Sequence, residues 1–157
     1  MLGTAELRRA LGHYPTGVSV VTATGADGTP VGMVVGTFTS VSLDPPLVGF
    51  LPDRRSTSWP RIRAAGRFCV NVLAASQEEV CRDFADKRPG RFEAHGEPGP
   101  CGPRLAGAVL RVDCDVDRVL PAGDHELVLG RVRALEASPE AGEPMVFWRG
   151  RYAAPAV

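Results

Sequence analysis

The sequence predicts a mainly β fold: an antiparallel barrel, closed or nearly closed, with about three short peripheral helices. Seven or eight short runs rich in β-branched residues are separated by turn signals, and their frequent hairpins favour a barrel. No long helices alternate with these runs and no G-x-G-x-x-G follows a strand, which argues against a Rossmann sheet. The 157 residues suffice for one domain, 1–157, and 44% apolar with 23% charged residues excludes disordered and fibrous classes.

The first half of the chain is predicted to hold one helix and four strands. Apolar residues at i, i+3, i+4 and i+7 predict a helix over residues 4–14, which Pro15 ends. A turn at Gly25–Gly28 joins the first two strands into a hairpin, and Asp44-Pro45-Pro46 ends the third. The four strands are predicted over residues 18–24, 31–35, 37–42 and 47–51.

The second half is predicted to hold two helices, a long loop and four strands. A short helix over 56–65 is capped by Ser56 or Ser58 and has Pro60 in its first turn. A capping box at Ser76–Glu79 predicts a helix over 76–86. The Gly- and Pro-rich residues 87–104 form a loop of a length that is often functional. The four strands are predicted over 68–73, 110–116, 126–135 and 144–152.

The strand over 110–116 has a clean period-two pattern, which predicts one buried and one solvated face. Three acids, Asp113, Asp115 and Asp117, fall on the solvated face together with Arg111. We expect these acids to face water rather than to bind a metal ion, because no His or further acid accompanies them at ligand spacing.

Charge and cysteine usage narrow the partners and the compartment. The formal net charge of zero argues against a nucleic acid or an anionic membrane surface as partner. No segment is apolar for long enough to span a membrane, and the polar start MLGTAELRRA does not resemble a signal peptide. Four cysteines without a C-x-x-C pair, at 69, 81, 101 and 114, predict buried free thiols and a cytoplasmic protein.

The basic residues are unevenly placed, and one cluster is a candidate anion site. Of the 18 basic residues all are Arg except Lys87. Five of them lie in a 14-residue stretch with no acid among them: Arg54, Arg55, Arg61, Arg63 and Arg67. The hydroxyls of Ser56, Thr57 and Ser58 lie at a predicted helix N-terminus, and helix amides, hydroxyls and guanidinium groups together bind phosphate. The alternative is a solvated helix face with an ordinary serine cap.

Two further segments are candidates for ligand contact. Gly36, in the bend within residues 32–40, lets the backbone approach a flat ligand closely, although a simple bend between barrel strands is the alternative. His125 follows the turn at Gly123–Asp124, where an imidazole suits proton transfer or hydrogen bonding in a cleft. The alternative is an exposed turn. No partner is predicted for His13, at a helix end, or for His95, in the long loop.

Seven motifs follow one another along nearly the whole chain. They are YPTGVSVVT at 14–22, GM at 32–33, FTSVSLDPPLV at 38–48, STSWPRI at 56–62, GRFCVNVLA at 66–74, GDH at 123–125 and PMVFWRGRY at 144–152. Each motif alone is weak, but together and in register they resemble the flavin reductase-like family. This family comprises the short reductase components of two-component flavin monooxygenases.

The resemblance implies a split (Greek-key) antiparallel β-barrel and a homodimer with flavin bound near the subunit interface. It implies reduction of FMN or FAD by NADH or NADPH, after which the reduced flavin diffuses to a separate oxygenase. Hydride passes from nicotinamide C4 to flavin N5 when the two rings stack, and the protein orients them and stabilises negative charge near flavin N1 and O2. No metal ion is implied.

The resemblance also implies roles for individual residues. Along the isoalloxazine, with backbone amides bonded to the ring, lie Met33, Val34, Val35, Gly36 and Thr37. Ser56 and Thr57 hold the flavin phosphate with Arg54 or Arg55 nearby, and Asp53 belongs to the same cofactor-binding segment. Lys87 lies near the phosphate, Phe92 beside the flavin, and Arg151 and Tyr152 close the site. His125 is the catalytic candidate, as a residue that positions the nicotinamide.

The chain departs from the family pattern at the flavin-binding bend. Many relatives have Thr after the Gly-Met pair and Asn-Ser before Phe-Thr-Ser, where this chain has Val34, Gly36 and Thr37. Losing two side-chain hydrogen bonds at about 1 kcal/mol each weakens flavin binding about five- to thirtyfold, which suits a reductase that releases its product. Two alternatives stay open: a flavin-binding protein without free reductase activity, such as a carrier or a biosynthetic flavoprotein, and a split barrel for a haem-like planar ligand.

Overall fold

A computed structural model describes residues 1–157, and its main element is a seven-stranded antiparallel sheet surrounded by four short α-helices. The helices are α1 (Thr4–Leu11), α2 (Trp59–Ala65), α3 (Glu78–Ala85) and α4 (Arg91–His95), with a 3-10 turn at Pro139–Ala141. The strands are β1 (Thr16–Gly17), β2 (Ser19–Thr24), β3 (Pro30–Val35), β4 (Thr39–Leu43), β5 (Pro46–Phe50), β6 (Arg67–Val72), β7 (Gly96–Glu97), β8 (Arg104–Leu105), β9 (Leu110–Ala122), β10 (His125–Ala137), β11 (Val146–Trp148) and β12 (Arg151–Ala153). None of these helices has the length and apolar character needed to cross a membrane.

The strand order of the large sheet is β3-β2-β6-β9-β10-β5-β4. Its two edge strands, β3 and β4, do not pair with each other, so the sheet is open. The predicted mainly β class with few helices is therefore confirmed, whereas closure into a split barrel stays a prediction. A small sheet of order β1-β11-β12 lies beside the large one.

Every predicted strand is present, and each begins within two residues of its predicted start. The hairpin of β9 and β10 is longer than predicted, with 13 residues in each strand. The last predicted strand, over 144–152, is instead the two short strands β11 and β12. The period-two and β-branched signals therefore located the strands better than they located the strand ends.

The three predicted helices are present but shorter than predicted. α1 ends at Leu11, and α2 begins only at Trp59. Ser58 directly precedes α2 and its side chain makes no capping bond, whereas the hydroxyl of Ser56 accepts the backbone N–H groups of Ser58 and Trp59 at 3.2 and 3.1 Å. The Ser56 side chain is thereby fixed at the start of the helix.

The predicted capping box before α3 is wrong. α3 begins at Glu78, with Gln77 as the preceding residue and no side-chain cap. The Gln77 side chain instead accepts the N–H of Ala74 at 3.0 Å and donates to the carbonyl of Ala106 at 2.7 Å. A tertiary link between two loops thus takes the place of the local helix cap.

The apolar core has two parts. In the larger part, Phe50 packs edge-on against Phe68 and Trp59, with ring centroids 5.2 and 5.7 Å apart. Such aromatic pairs stabilise the fold beyond the apolar area that they bury. The smaller part attaches α3 and the segment before β11 to β2, and its fully buried large side chains are Val20, Leu73, Phe84, Leu105 and Met145.

The predicted loop over 87–104 is structured, and α4 begins within it. Phe92 of α4 packs edge-on against Phe84 at 5.1 Å. His95, for which no partner is predicted, lies with its Nε2 2.7 Å from the Oδ2 of the buried Asp83, which also pairs with Arg88 at 3.0 Å. Packing and a hydrogen-bond contact with Asp83 of α3 stabilise this five-residue helix, and neither is visible in local sequence.

The segment that follows α4 covers the outer face of the sheet. The backbone of Gly102 lies so close to β2 that a Cβ there would be 2.6 Å from the Thr22 carbonyl oxygen. The N–H of Leu105 donates to the buried Asn71 side chain at 2.8 Å, and the Thr22 hydroxyl donates to the carbonyl of Pro103. This face of β2 and β6 is therefore shielded from water.

The prediction that three strand acids face water is wrong for Asp113. This carboxylate is only 2% exposed and pairs with Arg104 from the covering segment. Asp115 is half-buried and pairs with Arg133 of β10, whereas Asp117 is exposed and pairs with Arg131. The face is thus a row of ion pairs. The prediction for the four cysteines is confirmed, since all are buried and free.

Candidate functional site

Two adjoining grooves lie where the large sheet meets the small one. The first has a volume of about 170 Å³ and is mainly apolar; its lining residues are Thr16, Gly17, Val18, Val34, Val35, Gly36, Phe147 and Tyr152. The second has a volume of about 380 Å³ and is more polar; its lining residues are Tyr14, Pro15, Thr16, Gly17, Gly36, Thr37, Phe38, Thr39 and Leu51. Because three residues line both grooves, the grooves form one continuous depression.

Gly36 lies at the junction of the two grooves, immediately after β3. A Cβ at this position would lie 3.0 Å from the hydroxyl oxygen of Thr16, which is closer than side-chain atoms normally approach. The glycine therefore leaves room for Thr16 and keeps the backbone of the bend open to the depression.

Thr37 connects this bend to the next polar segment. Its hydroxyl oxygen accepts the backbone N–H of Leu51 at 2.9 Å. Leu51 lines the second groove and leads through Pro52 directly into the segment 53–57, which carries the predicted phosphate-binding residues. The bend and that segment are thus joined by a hydrogen bond and by the chain itself.

Asp53 brings Arg55 and His125 together, although none of the three lines the depression. Asp53 forms an isolated antiparallel bridge with His125 and an ion pair of 3.0 Å with Arg55. Hydrogen bonds from the Arg55 side chain and backbone lower the pKa of Asp53 to about 2, so this carboxylate is ionised at neutral pH. The carboxylate is thus occupied by Arg55, while the backbone of Asp53 bridges to His125.

Two hydrogen bonds from Arg54 hold the turn at 123–125. The backbone N–H of Arg54 donates to the Asp124 carbonyl at 3.0 Å, and its Nε donates to the His125 carbonyl at 3.3 Å. His125 Nδ1 lies 2.7 Å from the Asp124 carboxylate, and this contact lowers the pKa of Asp124. The imidazole is partly exposed and its Nε2 has no protein partner.

Thr57 and Lys87, which are 30 residues apart, meet at the start of α2. Lys87 Nζ donates to the Thr57 hydroxyl at 2.6 Å, and no carboxylate pairs with this ammonium group. Ser56 is fixed beside Thr57 by its hydrogen bonds to the N–H groups of Ser58 and Trp59. The structure therefore gathers two hydroxyl groups and an unpaired cation, which is a suitable donor set for a phosphate.

The five-arginine cluster is less positive than the sequence indicates. Asp53 pairs with Arg55, and Glu126 pairs with Arg63 at 3.4 Å while also accepting the Trp59 indole N–H at 2.9 Å. Asp53 directly precedes the 54–67 stretch, whereas Glu126 is brought to it only by the fold.

The remaining predicted residues divide into those that line the depression and those that do not. Tyr152 lines the first groove, where a hydrogen bond with Cys81 and partial burial raise its pKa to about 12. Met33 packs against the larger core. Phe92 lines a separate groove near Pro30, at the other end of β3. Arg151 lies outside both grooves, on the flank of the β11–β12 turn.

Sequence reasoning assigned no role to Thr16, Phe147 or Tyr14, which the structure places in the depression. Thr16 pairs with Phe147 across β1 and β11, although 131 positions separate them. The sequence signal was that Tyr14 and Thr16 lie in the family motif at 14–22 and Phe147 lies in the family motif at 144–152. These motifs indicated a shared site but gave no role for the individual residues.

Comparison with known proteins identifies the family. The model of the family described as flavin reductase like domain matches residues 11–156. The chain belongs to this family. The resemblance inferred from the motifs is thus confirmed.

Individual members of the family are similar over most of their length. A flavin reductase of Pseudomonas putida is 50% identical over 147 residues, covering 92% of this chain and 86% of the relative. The reductase subunit of a flavin-dependent monooxygenase of Rhodococcus jostii is 41% identical over 149 residues, covering 94% and 75%. The structure of an NADH:FAD oxidoreductase of Streptomyces globisporus in complex with NAD and FAD fragments superposes with a TM-score of 0.89 at 39% identity, covering 97% and 92%.

Proposed function

We propose that this protein is an NAD(P)H-dependent flavin reductase that supplies reduced FMN or FAD to a separate monooxygenase. The observation that carries the proposal is the continuity of the site. An apolar groove with an open backbone at Gly36 leads, through Thr37 and Leu51, to a cluster of Ser56, Thr57 and the unpaired Lys87. A flat ring with a phosphate at the end of a short chain fits such a surface.

The protein's contribution is binding and orientation. Flavin and nicotinamide would supply the hydride transfer when bound, and this chemistry needs no side chain as acid or base. Val34, Gly36 and Thr37 bind the ring edge, while Thr57 and Lys87 bind the phosphate. His125 acts as a positioning residue, because its Nδ1 is held by Asp124 and its Nε2 is left to contact the nicotinamide. The reduced flavin leaves by diffusion.

We also propose that two copies of the single domain 1–157 form a homodimer and that the sheet belongs to a split barrel. The edge strand β4 supports this, since its side chains Val41 and Leu43 are 47% and 96% exposed and one side of the strand is unpaired. An exposed apolar edge strand is normally covered by another chain or segment. Four buried free thiols favour a reducing, cytoplasmic location.

The activity is tested by mixing catalytic amounts of the protein with FMN or FAD and an excess of NADH or NADPH, and following nicotinamide absorbance. Steady oxidation of the nicotinamide is the expected result. Bound yellow flavin without oxidation would instead indicate a flavin carrier. A colourless protein with no flavin affinity would contradict both readings.

Gly36→Ala is expected to raise the KM for flavin about fivefold or more, because the added methyl group crowds Thr16 and narrows the bend. Steady-state NADH oxidation at varied FMN measures the change. The double variant Thr16→Ala/Gly36→Ala removes the crowded hydroxyl and should recover most of the loss. If the double variant is as weak as the single one, steric crowding is not the reason for the glycine.

His125→Ala is expected to lower kcat/KM for NADH about five- to tenfold without abolishing turnover, since the side chain provides one hydrogen bond rather than a proton transfer. His125→Gln, which keeps a donor, should lose less. Stopped-flow measurement of flavin reduction at varied NADH gives the rate of this step directly. Full NADH turnover by His125→Ala would show that the assigned role is wrong.

A further inference from the structure

A second concave surface, which the function proposed above does not use, lies beside the depression. This basic groove has a volume of about 360 Å³ and no apolar residue in its lining, which consists of Arg8, Arg9, Gly12, His13, Arg149 and Gly150. A smaller concavity lined by Trp148, Arg149 and Arg151 adjoins it. Four guanidinium groups and one imidazole thus converge from α1 and from the turn between β11 and β12.

The positive charge of the basic groove is not neutralised within the chain. Eight other Arg residues pair with carboxylates within 4.0 Å, and these are Arg55, Arg63, Arg82, Arg88, Arg104, Arg111, Arg131 and Arg133. None of the four Arg of this region has such a partner. In a chain of zero net charge, four unpaired Arg at one concave surface indicate an anionic ligand.

The two elements that carry the Arg residues are fixed to each other. The backbone N–H of Arg149 donates to the Gly12 carbonyl at 3.0 Å, and the indole N–H of Trp148 donates to the His13 carbonyl at 3.0 Å. These donors satisfy carbonyl oxygens at the end of α1, which would otherwise point partial negative charge toward an anion. The basic groove is therefore a preformed surface.

The basic groove shares no lining residue with the depression, but its residues are close neighbours in the chain of residues that line both parts. His13 lies in the groove and the next residue, Tyr14, lines the second part of the depression. Arg149 follows Phe147 of the first part by two positions, a distance of about 7 Å in extended chain. One elongated ligand with a ring in the depression and phosphates farther along would thus reach the Arg residues.

We propose that Arg8, Arg9 and Arg149 bind the phosphate groups of the adenylate half of a dinucleotide whose reacting ring lies in the depression. This inference rests on the proposed reductase function. The ligand chemistry is a pyrophosphate or phosphomonoester next to adenosine, as a nicotinamide dinucleotide carries it. FAD carries the same group, but its adenylate half extends from the phosphate assigned to Thr57 and Lys87. FMN and reduced nicotinamide mononucleotide lack this half and do not reach the basic groove.

The double variant Arg8→Gln/Arg9→Gln tests the proposal, because both side chains are exposed on α1 and Gln keeps the helix propensity high. With FMN as acceptor, KM for NADH or NADPH is expected to rise about tenfold or more if the nicotinamide dinucleotide is the ligand. With reduced nicotinamide mononucleotide as donor, KM for FAD is expected to stay unchanged, and a rise would show that FAD rather than the nicotinamide dinucleotide reaches the basic groove. Reduced nicotinamide mononucleotide with FMN should be unaffected.

Arg118→Gln is the matched control, since it removes one exposed and unpaired positive charge from β9 and should change none of these constants. ADP-ribose, as a fragment without the reacting ring, should inhibit the wild type more strongly than the double variant. Equal KM values in the double variant and the wild type for every donor and acceptor would overturn the proposal while leaving the reductase function intact. A wild type that oxidises no donor would instead refute the reductase function itself.

Discussion

Lys87→Gln is expected to raise the KM for FMN about ten- to a hundredfold while leaving the KM for riboflavin nearly unchanged. The physical reason is that Lys87 Nζ, 2.6 Å from the Thr57 hydroxyl, has no carboxylate partner and is available to a phosphate. A hydrogen bond to a charged group contributes about 1.5–3 kcal/mol, which corresponds to this range of affinity. Riboflavin has the same ring system but no phosphate. Steady-state NADH oxidation with each flavin measures the difference.

Two variants sharpen this test. Lys87→Arg keeps a cation and should retain part of the FMN affinity, whereas Thr57→Val removes the hydroxyl and should lose part of it. Lys87 has a positive φ of 51°, so variants that also change the backbone preference, such as Lys87→Gly, are avoided. If Lys87→Gln weakens FMN and riboflavin equally, the side chain supports the loop rather than the phosphate.

Much of the sheet could be predicted because its strands follow local rules. β-branched runs and turn residues are properties of neighbouring positions, and they located β2, β3 and β6 to within two residues. The order β3-β2-β6-β9-β10-β5-β4 is a different kind of information. It depends on which strands pair across long separations in sequence, as in the pairing of β10 with β5, and periodicity does not contain it.

The wrong prediction for Asp113 has its cause in the segment over 87–105. Its Gly and Pro content correctly indicated irregular backbone, but composition does not show that this backbone lies against the outer face of β2, β6 and β9. The period-two rule places alternate residues on opposite faces and assumes that one face is wet. Once the segment covers that face, Asp113 is buried and needs the partner that Arg104 provides.

The candidate site could be predicted in its parts but not in its assembly. The motifs pointed separately to Gly36, to Ser56 and Thr57, and to His125. That Lys87 reaches Thr57, and that Asp53 bridges to His125, depends on tertiary contacts over 30 and 72 positions. The same holds for the basic groove, since Arg8 and Arg149 belong to opposite ends of the chain.

Arg104→Ala is expected to lower the free energy of unfolding by about 3–5 kcal/mol, the largest effect on stability among the ion pairs. The variant leaves the Asp113 carboxylate, only 2% exposed, without its counter-ion, and an uncompensated buried charge has a cost of this size. The covering segment would also lose one of its attachments to β9. Urea unfolding, with the midpoint and slope fitted together, measures the change.

A matched control for this prediction is the ion pair of Asp115, which lies two residues after Asp113 in β9. Asp115 pairs with Arg133, but their side chains are 32% and 64% exposed, so Arg133→Ala should cost less than about 1 kcal/mol. The double variant Arg104→Met/Asp113→Leu removes both buried charges and should recover most of the loss, because an apolar pair needs no counter-ion. Equal destabilisation by Arg104→Ala and Arg133→Ala would mean that the segment over 96–105 does not shield Asp113 from water in solution.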